Sequence, residues 1–416
     1  MKPISKLALA TALAISGTTL AAPAVAQNKA QAQAPEQPQR KFNFTKAAQK
    51  PLAELQKAAN AGDTAAFPTA LAAAQAAAKN TDDRYFIAQM QLTYALRTND
   101  KAAQAQAVDA IVASGGAQND ELLRLYRVQA DMAVNAKDYD RAIAAYSKVL
   151  ELQPNEPNVL NNLVIIHRER KNYPQAMALV RQQINASKAA GTPAPESVYR
   201  IGLQTALDGK LNAEVMPLTR EFLTAYPNPK NWQVALDLYR QTAGSDEQLL
   251  LDTFRLMRNA KTIERANEYI ALADTLARGR YYAEARDVVN EGVRAGKFTA
   301  SNPSAAAILK EVTPRIDSDK AALAGIEARA KSDARGEFAL KVADGYFGHG
   351  DYAKAADYYR LAVQKGGIDA NLANTRLGMA LAMGGQRPQA EAAFKAVTGA
   401  RAELANLWLL WLSSRA

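Results

Sequence analysis

The feature that most constrains this chain is a spaced pair, Tyr-x-x-Ala, which recurs just after turn-like breaks at Tyr139/Ala142, Tyr173/Ala176, Tyr282/Ala285 and Tyr352/Ala355. The first two alanines are 34 residues apart, a period too long for any single helix or strand repeat and typical of stacked supersecondary units. Four residues beyond each alanine stand Tyr146, Val180, Val289 and Tyr359, one helical turn further along the same face. A small residue followed one turn later by a large one lets two antiparallel helices approach closely at the first and fill space at the second. A hairpin built this way cannot bury its apolar face alone, so the next hairpin must stack on it.

The stretches between breaks are rich in Ala, Leu, Gln, Lys and Glu, good helix formers, and none alternates as a strand does. The breaks Ala61-Gly62-Asp63, Thr98-Asn99-Asp100, Ala136-Lys137-Asp138, Asp208-Gly209-Lys210, Arg278-Gly279-Arg280 and His349-Gly350-Asp351 read as turns inside helical hairpins. The residues from Leu123 to Glu156 resemble the tetratricopeptide repeat family: Tyr126, Ala130, Tyr139, Ala142, Tyr146 and Pro154 occupy its spaced large, small and closing-proline positions. A second copy carries Leu160, Leu163, Tyr173 and Ala176, with His167 where a tyrosine is usual. Near the C-terminus, Ala343, Tyr346, Tyr352, Ala355, Tyr359 and Ala362 make a third, followed by Leu377-Gly378, Ala390 and Phe394. Worn copies surround Tyr269, Ala273, Tyr282 and Ala285, and Ile201-Gly202, Leu211 and Leu218. The resemblance implies an all-α, right-handed α-solenoid of stacked hairpins.

Ahead of the repeats, Lys2 and Lys6 precede an apolar stretch from Leu7 to Leu20 and the small-residue site Ala24-Val25-Ala26, the pattern of a bacterial signal peptide over residues 1–26. Residues 27–45 are expected to form a disordered tether, since Gln27 to about Gln39 offers no apolar face and two prolines. Helical hairpins are expected over 46–118, with Tyr85, Met90, Tyr94 and Leu96 as core candidates; repeats over 119–300; a helical connector over 301–335; and a repeat pair with a capping helix over 336–416. Repeat register is poor at 230–262 and 300–335. The terminal run Leu404, Leu407, Trp408, Leu410, Trp411 and Leu412 is apolar all round, so it either packs back on the last repeat or meets a second copy or a partner.

Cysteine is absent from the sequence, which removes disulfides, thiolate metal sites and a cysteine nucleophile. Chemistry finds little else to work with. His167 sits at a core position, and His349, in Gly348-His349-Gly350-Asp351, follows helix where a phosphate loop needs a strand; Asp351 reads as a helix cap. Asp317-x-Asp319 lacks the remaining calcium ligands, Ala321, Ala322 and Ala328 standing in their places, and reads as a cap for a helix starting near Lys320. No cofactor, metal or enzymatic activity is expected.

The remaining expectation concerns surface. Taking away the signal peptide with its two lysines lowers the formal charge from +10 to +8, still basic enough to attract acidic proteins or anionic polymers outside the cytoplasm. In the family the first helix of each hairpin lines a groove that binds peptides or partner helices. The matching positions here are Arg127, Asp131, Asn158, Asn161, Arg168, Asp274 and Arg278. The family's carboxylate clamp of Lys and Asn is not matched, because the pairs read Arg127/Asp131 and Asn161/Ile165. A periplasmic scaffold binding other envelope proteins is therefore expected, with no nucleic acid and no membrane span in the mature chain. The alternatives are a binder of anionic peptidoglycan or polysaccharide and an accessory to a cell-wall enzyme.

Overall fold

The computed structural model describes residues 40–242 and 246–415. The expected signal peptide and residues 27–39 of the expected tether lie outside these. Among the described residues the structure is helical with no strand, and it divides into two compact units meeting at residues 186 and 187.

The first unit contains α1 (Gln49–Ala61), α2 (Ala66–Ala77), α3 (Thr81–Arg97), α4 (Lys101–Ala113), α5 (Asn119–Asn135), α6 (Tyr139–Leu152), α7 (Pro157–Glu169) and most of α8 (Tyr173–Ala189). Helices pair as successive antiparallel hairpins, α3 on α4 and α5 on α6 most extensively. Ala142 and Ala176 are fully buried, and Tyr146 and Val180 are buried one turn later, as the spacing requires. Of the N-terminal core candidates, Tyr85 and Met90 are buried and Tyr94 stacks on Phe67. Leu96, however, is 38% exposed, since it lies at the α3 end on the outward side of the turn.

The end of the expected tether is packed. Arg40 is ion-paired with Asp82 at 2.8 Å, the backbone N–H of Asn43 donates to the same carboxylate, and Phe42 and Phe44 stack on each other and against Phe86. Asp83, fully buried, accepts from the backbone and hydroxyl of Thr45 and from the backbone of Lys79. Burial alone would raise its carboxyl, but these hydrogen bonds outweigh it and hold the group below the usual range. Composition hid this because the aromatic pair and its acidic anchors are 38 to 41 residues apart.

The second unit holds the rest of the chain from Ser187: α9 (Glu196–Asp208), α10 (Asn212–Ala225), α11 (Pro229–Thr242), α12 (Glu247–Asn259), α13 (Ala266–Arg278), α14 (Tyr282–Arg294), α15 (Pro303–Val312), α16 (Ile316–Ser332), α17 (Glu337–Gly348), α18 (Tyr352–Lys365), α19 (Ala370–Met383), α20 (Arg387–Lys395) and α21 (Ala402–Ser413). Ala285, Ala355 and Ala390 are fully buried, with Val289, Tyr359 and Phe394 filling the next turn. At Gly378 even a methyl group is excluded: a Cβ there would lie 2.6 Å from the Phe394 ring. Helix α16 begins at Ile316, four residues before the expected start, so Asp317 and Asp319 lie in its first turn, where they favour the helix dipole without capping it.

The hairpin turns share one device. In most of them the residue two places before the second helix adopts a left-handed conformation, and the next N–H reaches back five residues to the first helix, as from Asp138 to Ala133 and from Asp351 to Tyr346. Asp100, Asp138 and Asp351 then cap the second helix through their carboxylates. In Asp208-Gly209-Lys210 and Arg278-Gly279-Arg280 the left-handed residue is Lys210 or Arg280, with the glycine one place earlier in ordinary helical geometry.

The last helix closes the second unit on itself. Helix α21 packs on α19 and α20 and also reaches α10, where Glu403 pairs with Arg220, 183 residues away in sequence. Trp408 is fully buried, stacked on Phe394, and Trp411 meets it edge-on. An all-round apolar helix is accounted for by neighbours on more than one side.

Candidate partner-binding surfaces

In the first unit the expected residues fall on α5 and α7, the first helices of successive hairpins, and three of them converge. Arg127 donates through Nη2 to Gln153 at 3.0 Å and lies 3.8 Å from Glu156. Glu156 accepts the Val159 backbone N–H at 2.7 Å, capping α7, and also the side chain of Asn158 at 3.1 Å. One turn along α5, Asp131 accepts the Tyr146 hydroxyl at 2.6 Å, and that oxygen accepts from Asn162 at 2.8 Å. Burial pushes the Asp131 carboxyl above its ordinary range, and the Tyr146 hydrogen bond and Arg127 charge only partly oppose this. Burial beside the carboxylate in turn raises the Tyr146 phenol, so it stays a donor.

Asn161 and Arg168 lie half-buried on α7 outside these hydrogen bonds. Asn162 is the asparagine that joins the cluster; one residue along a helix turns the side chain by about 100°. Gln153 and Glu156, in the link between hairpins, also join the cluster. His167 is half-buried at the end of α7, its Nδ1 buried without a hydrogen bond, and burial, with the nearby Arg170 charge, holds the imidazole below its usual range. That suits a neutral packing residue.

Asp274 and Arg278 belong to the second unit. They form an exposed pair at 3.0 Å, one turn apart on α13. Asp274 stands eleven residues before its repeat alanine, as Asp131 does, but four residues after that alanine comes Val289 in place of Tyr146. Without a hydroxyl to hold it, the carboxylate turns outward to Arg278.

The second unit also contains a polar core that the sequence reading did not foresee. Asp252 on α12, fully buried, accepts from Arg255 at 2.9 Å, from Arg376 on α19 at 3.3 Å and from Arg401 at 2.8 Å. Arg255 grips Glu284 with two hydrogen bonds, 3.1 and 2.7 Å, and lies between the rings of Tyr281 and Phe347. Arg376, 1% exposed, also donates to both oxygens of Asp344, at 2.9 and 2.8 Å, and to Gln248. Tyr359 donates to Asp344 at 2.6 Å. Three guanidiniums therefore face three carboxylates, a neutral set in which most donors are used. Burial opposes the Asp252 charge, yet the three arginines reverse it and keep the carboxyl below its usual range. Burial beside Asp344 pushes the Tyr281 phenol up to about 12. The poor repeat register of 230–262 has its reason here: α12 buries Leu249, Leu251, Asp252, Thr253, Arg255, Leu256 and Met257, covering most of its circumference.

Residues 133–189, spanning the end of α5 through α8, match the family model described as tetratricopeptide repeat. Residues 133–189 carry a tetratricopeptide repeat match. No curated protein sequence matches the chain. Among solved structures, it is similar to a tetratricopeptide repeat protein from Parabacteroides merdae, at 14% identity over 70% of this chain and 99% of that one, with a TM-score of 0.23. It is likewise similar to the TPR domain of P58(IPK), at 15% identity over 82% and 98% and a TM-score of 0.23. A complex of Naa15 and Naa10 bound to HypK-THB matches at 15% identity and a TM-score of 0.28, over 85% of this chain; the repeat chain spans 65% of that protein, less than two thirds of its length.

Proposed function

We propose that this chain is a non-catalytic scaffold of the bacterial periplasm whose first-unit repeats bind another envelope protein. The observation that carries the reading is the α5–α7 cluster. Arg127, Asn158 and Asp131 converge within and beside the matched repeats, and they are tied to Gln153, Glu156, Tyr146 and Asn162 by hydrogen bonds that pre-set their orientation. Pre-set polar groups on repeat helices offer a partner directional bonds at little further entropy cost. Export rests on the sequence of residues 1–26, and it requires a mature N-terminus at Gln27 in periplasmic fractions. Among the described residues no helix is long and apolar enough to cross a membrane.

The polymer-binding alternative draws less support, because the candidate cations Arg127 and Arg278 already face carboxylates. Photo-crosslinking probes placed in living cells at Arg127 and Asn158, with Arg278 for comparison, test the proposal. Reproducible capture of one or two envelope proteins from the first two positions, and not from the third, is the expected result. Recovery of wall or polysaccharide fragments without an enriched protein would overturn it.

A further inference from the structure

A cleft of about 270 Å³ opens in the second unit, where the C-terminal ends of α12, α17 and α19 meet the start of α18, one side of α14 and the residues after α21. One wall is apolar: Phe347 and Tyr352, packed edge to face at 5.4 Å, with Met383 beside them. The other wall is charged. Arg255 is satisfied by Glu284, and Arg258 donates its Nε to Glu291 at 2.6 Å. Those pairs cancel and leave two cations, Lys261 and Arg415, with no carboxylate partner among the described residues. Both side chains are exposed. The Lys261 backbone is left-handed, fixed by the hydrogen bonds of the turn that ends α12, and the Arg415 guanidinium lies 4.7 Å from the Trp411 ring centroid. The partial negative charge of the converging helix ends offsets part of this field, since each end is worth about half an elementary charge.

We propose that this cleft binds a small oxyanion, one carboxylate or phosphate group on an apolar body, with the anion against Lys261, Arg415 and the outer nitrogens of Arg258 and the body against Phe347, Tyr352 and Met383. An anionic group on the ligand would pair with the two cations, which a neutral ligand leaves to solvent. The site lies wholly in the second unit and does not depend on partner binding by the first.

Titration of the full chain with benzoate, phenyl phosphate and neutral benzyl alcohol tests this, read by tryptophan fluorescence from Trp411 and by thermal shift. At least one anion is expected to bind about tenfold tighter than the alcohol, and Lys261→Asn, which tolerates the left-handed backbone, to weaken it about tenfold. Arg415→Gln is expected to do the same while leaving the α12 turn untouched. Tighter binding of benzoate assigns the site to carboxylates, and tighter binding of phenyl phosphate to phosphate esters. Equal affinity for the alcohol and both anions, or unchanged binding in both variants, would overturn the proposal.

Discussion

Asp131 in the first unit and Asp344 in the second stand at the same repeat position, eleven residues before a buried alanine and fifteen before a buried tyrosine, and both accept that tyrosine's hydroxyl at 2.6 Å. The next helix separates their fates. It presents neutral Asn162 to the first pair and Arg376 to the second, and Arg376 draws in Asp252, Arg255 and Arg401. One motif thus ends as a partly open polar face in one unit and as the edge of a buried ionic core in the other. The lesson is that a repeat's packing residues set the scaffold, while the residue that meets the recurring Asp–Tyr pair from the following hairpin decides whether that polar face stays open.

The sharpest way to break this comparison is to remove the centre of the ionic core. Asp252→Ala leaves three buried arginines short of a partner and is expected to cost about 3–5 kcal/mol in the second unit, measured by hydrogen exchange in α12 and α19. A cost under about 1 kcal/mol would mean the arginines find water or other partners. Overpacking comes next. Ala142→Leu and Ala355→Leu insert bulk at equivalent fully buried positions, and each is expected to destabilise by about 1–3 kcal/mol in denaturant titration. Similar losses would show the same packing rule in both units, and a loss confined to one would deny it.

Acid separates the units by sign. Asp252 has its carboxyl lowered in the fold, so its stabilisation is present above the unfolded value near 3.8 and is lost as pH falls further, through the folded value. Asp131 is raised, so its contribution is fullest below 3.8 and is lost as pH rises through the folded value. Acidification below about pH 4 is therefore expected to loosen α12 and α19 before α5 and α6, followed by exchange or near-ultraviolet dichroism. The smallest effect follows from the same sign: Asp131→Asn is expected to stabilise the first unit by roughly 0.5 kcal/mol at pH 7, and the gain should vanish near pH 3. Destabilisation at pH 7 would show that the charge on Asp131 supports the fold.

Where local pattern decides structure, the chain could be read directly. The alanines at 142, 176, 285, 355 and 390 are all fully buried, and the turns at Asp100, Asp138 and Asp351 carry their caps. What stayed hidden depends on partners distant in sequence. Asp252 meets Arg376 and Arg401 across 124 and 149 residues, so no spacing within its own helix announces these partners. Phe42 and Phe44 looked like tether because their anchors, Asp82 and Asp83, belong to α3. Within the candidate surface, Arg127, Asp131 and Asn158 take part in the hydrogen bonds and Asn162, one helical step from Asn161, joins them. The fifteen-residue Asp–Tyr spacing, present twice, was the signal that could have found the hydrogen bond between Tyr146 and Asp131.

The most direct test compares Asp131→Ala with Asp344→Ala in the full chain, scoring hydrogen exchange and crosslinked capture from Arg127 in the same cells. The account predicts that Asp344→Ala speeds exchange through α12, α17 and α19 and leaves capture intact. Asp131→Ala should leave exchange in α5 and α6 nearly unchanged and lose the captured protein. The reverse assignment, with Asp131→Ala unfolding the first unit or Asp344→Ala abolishing capture on its own, would contradict it.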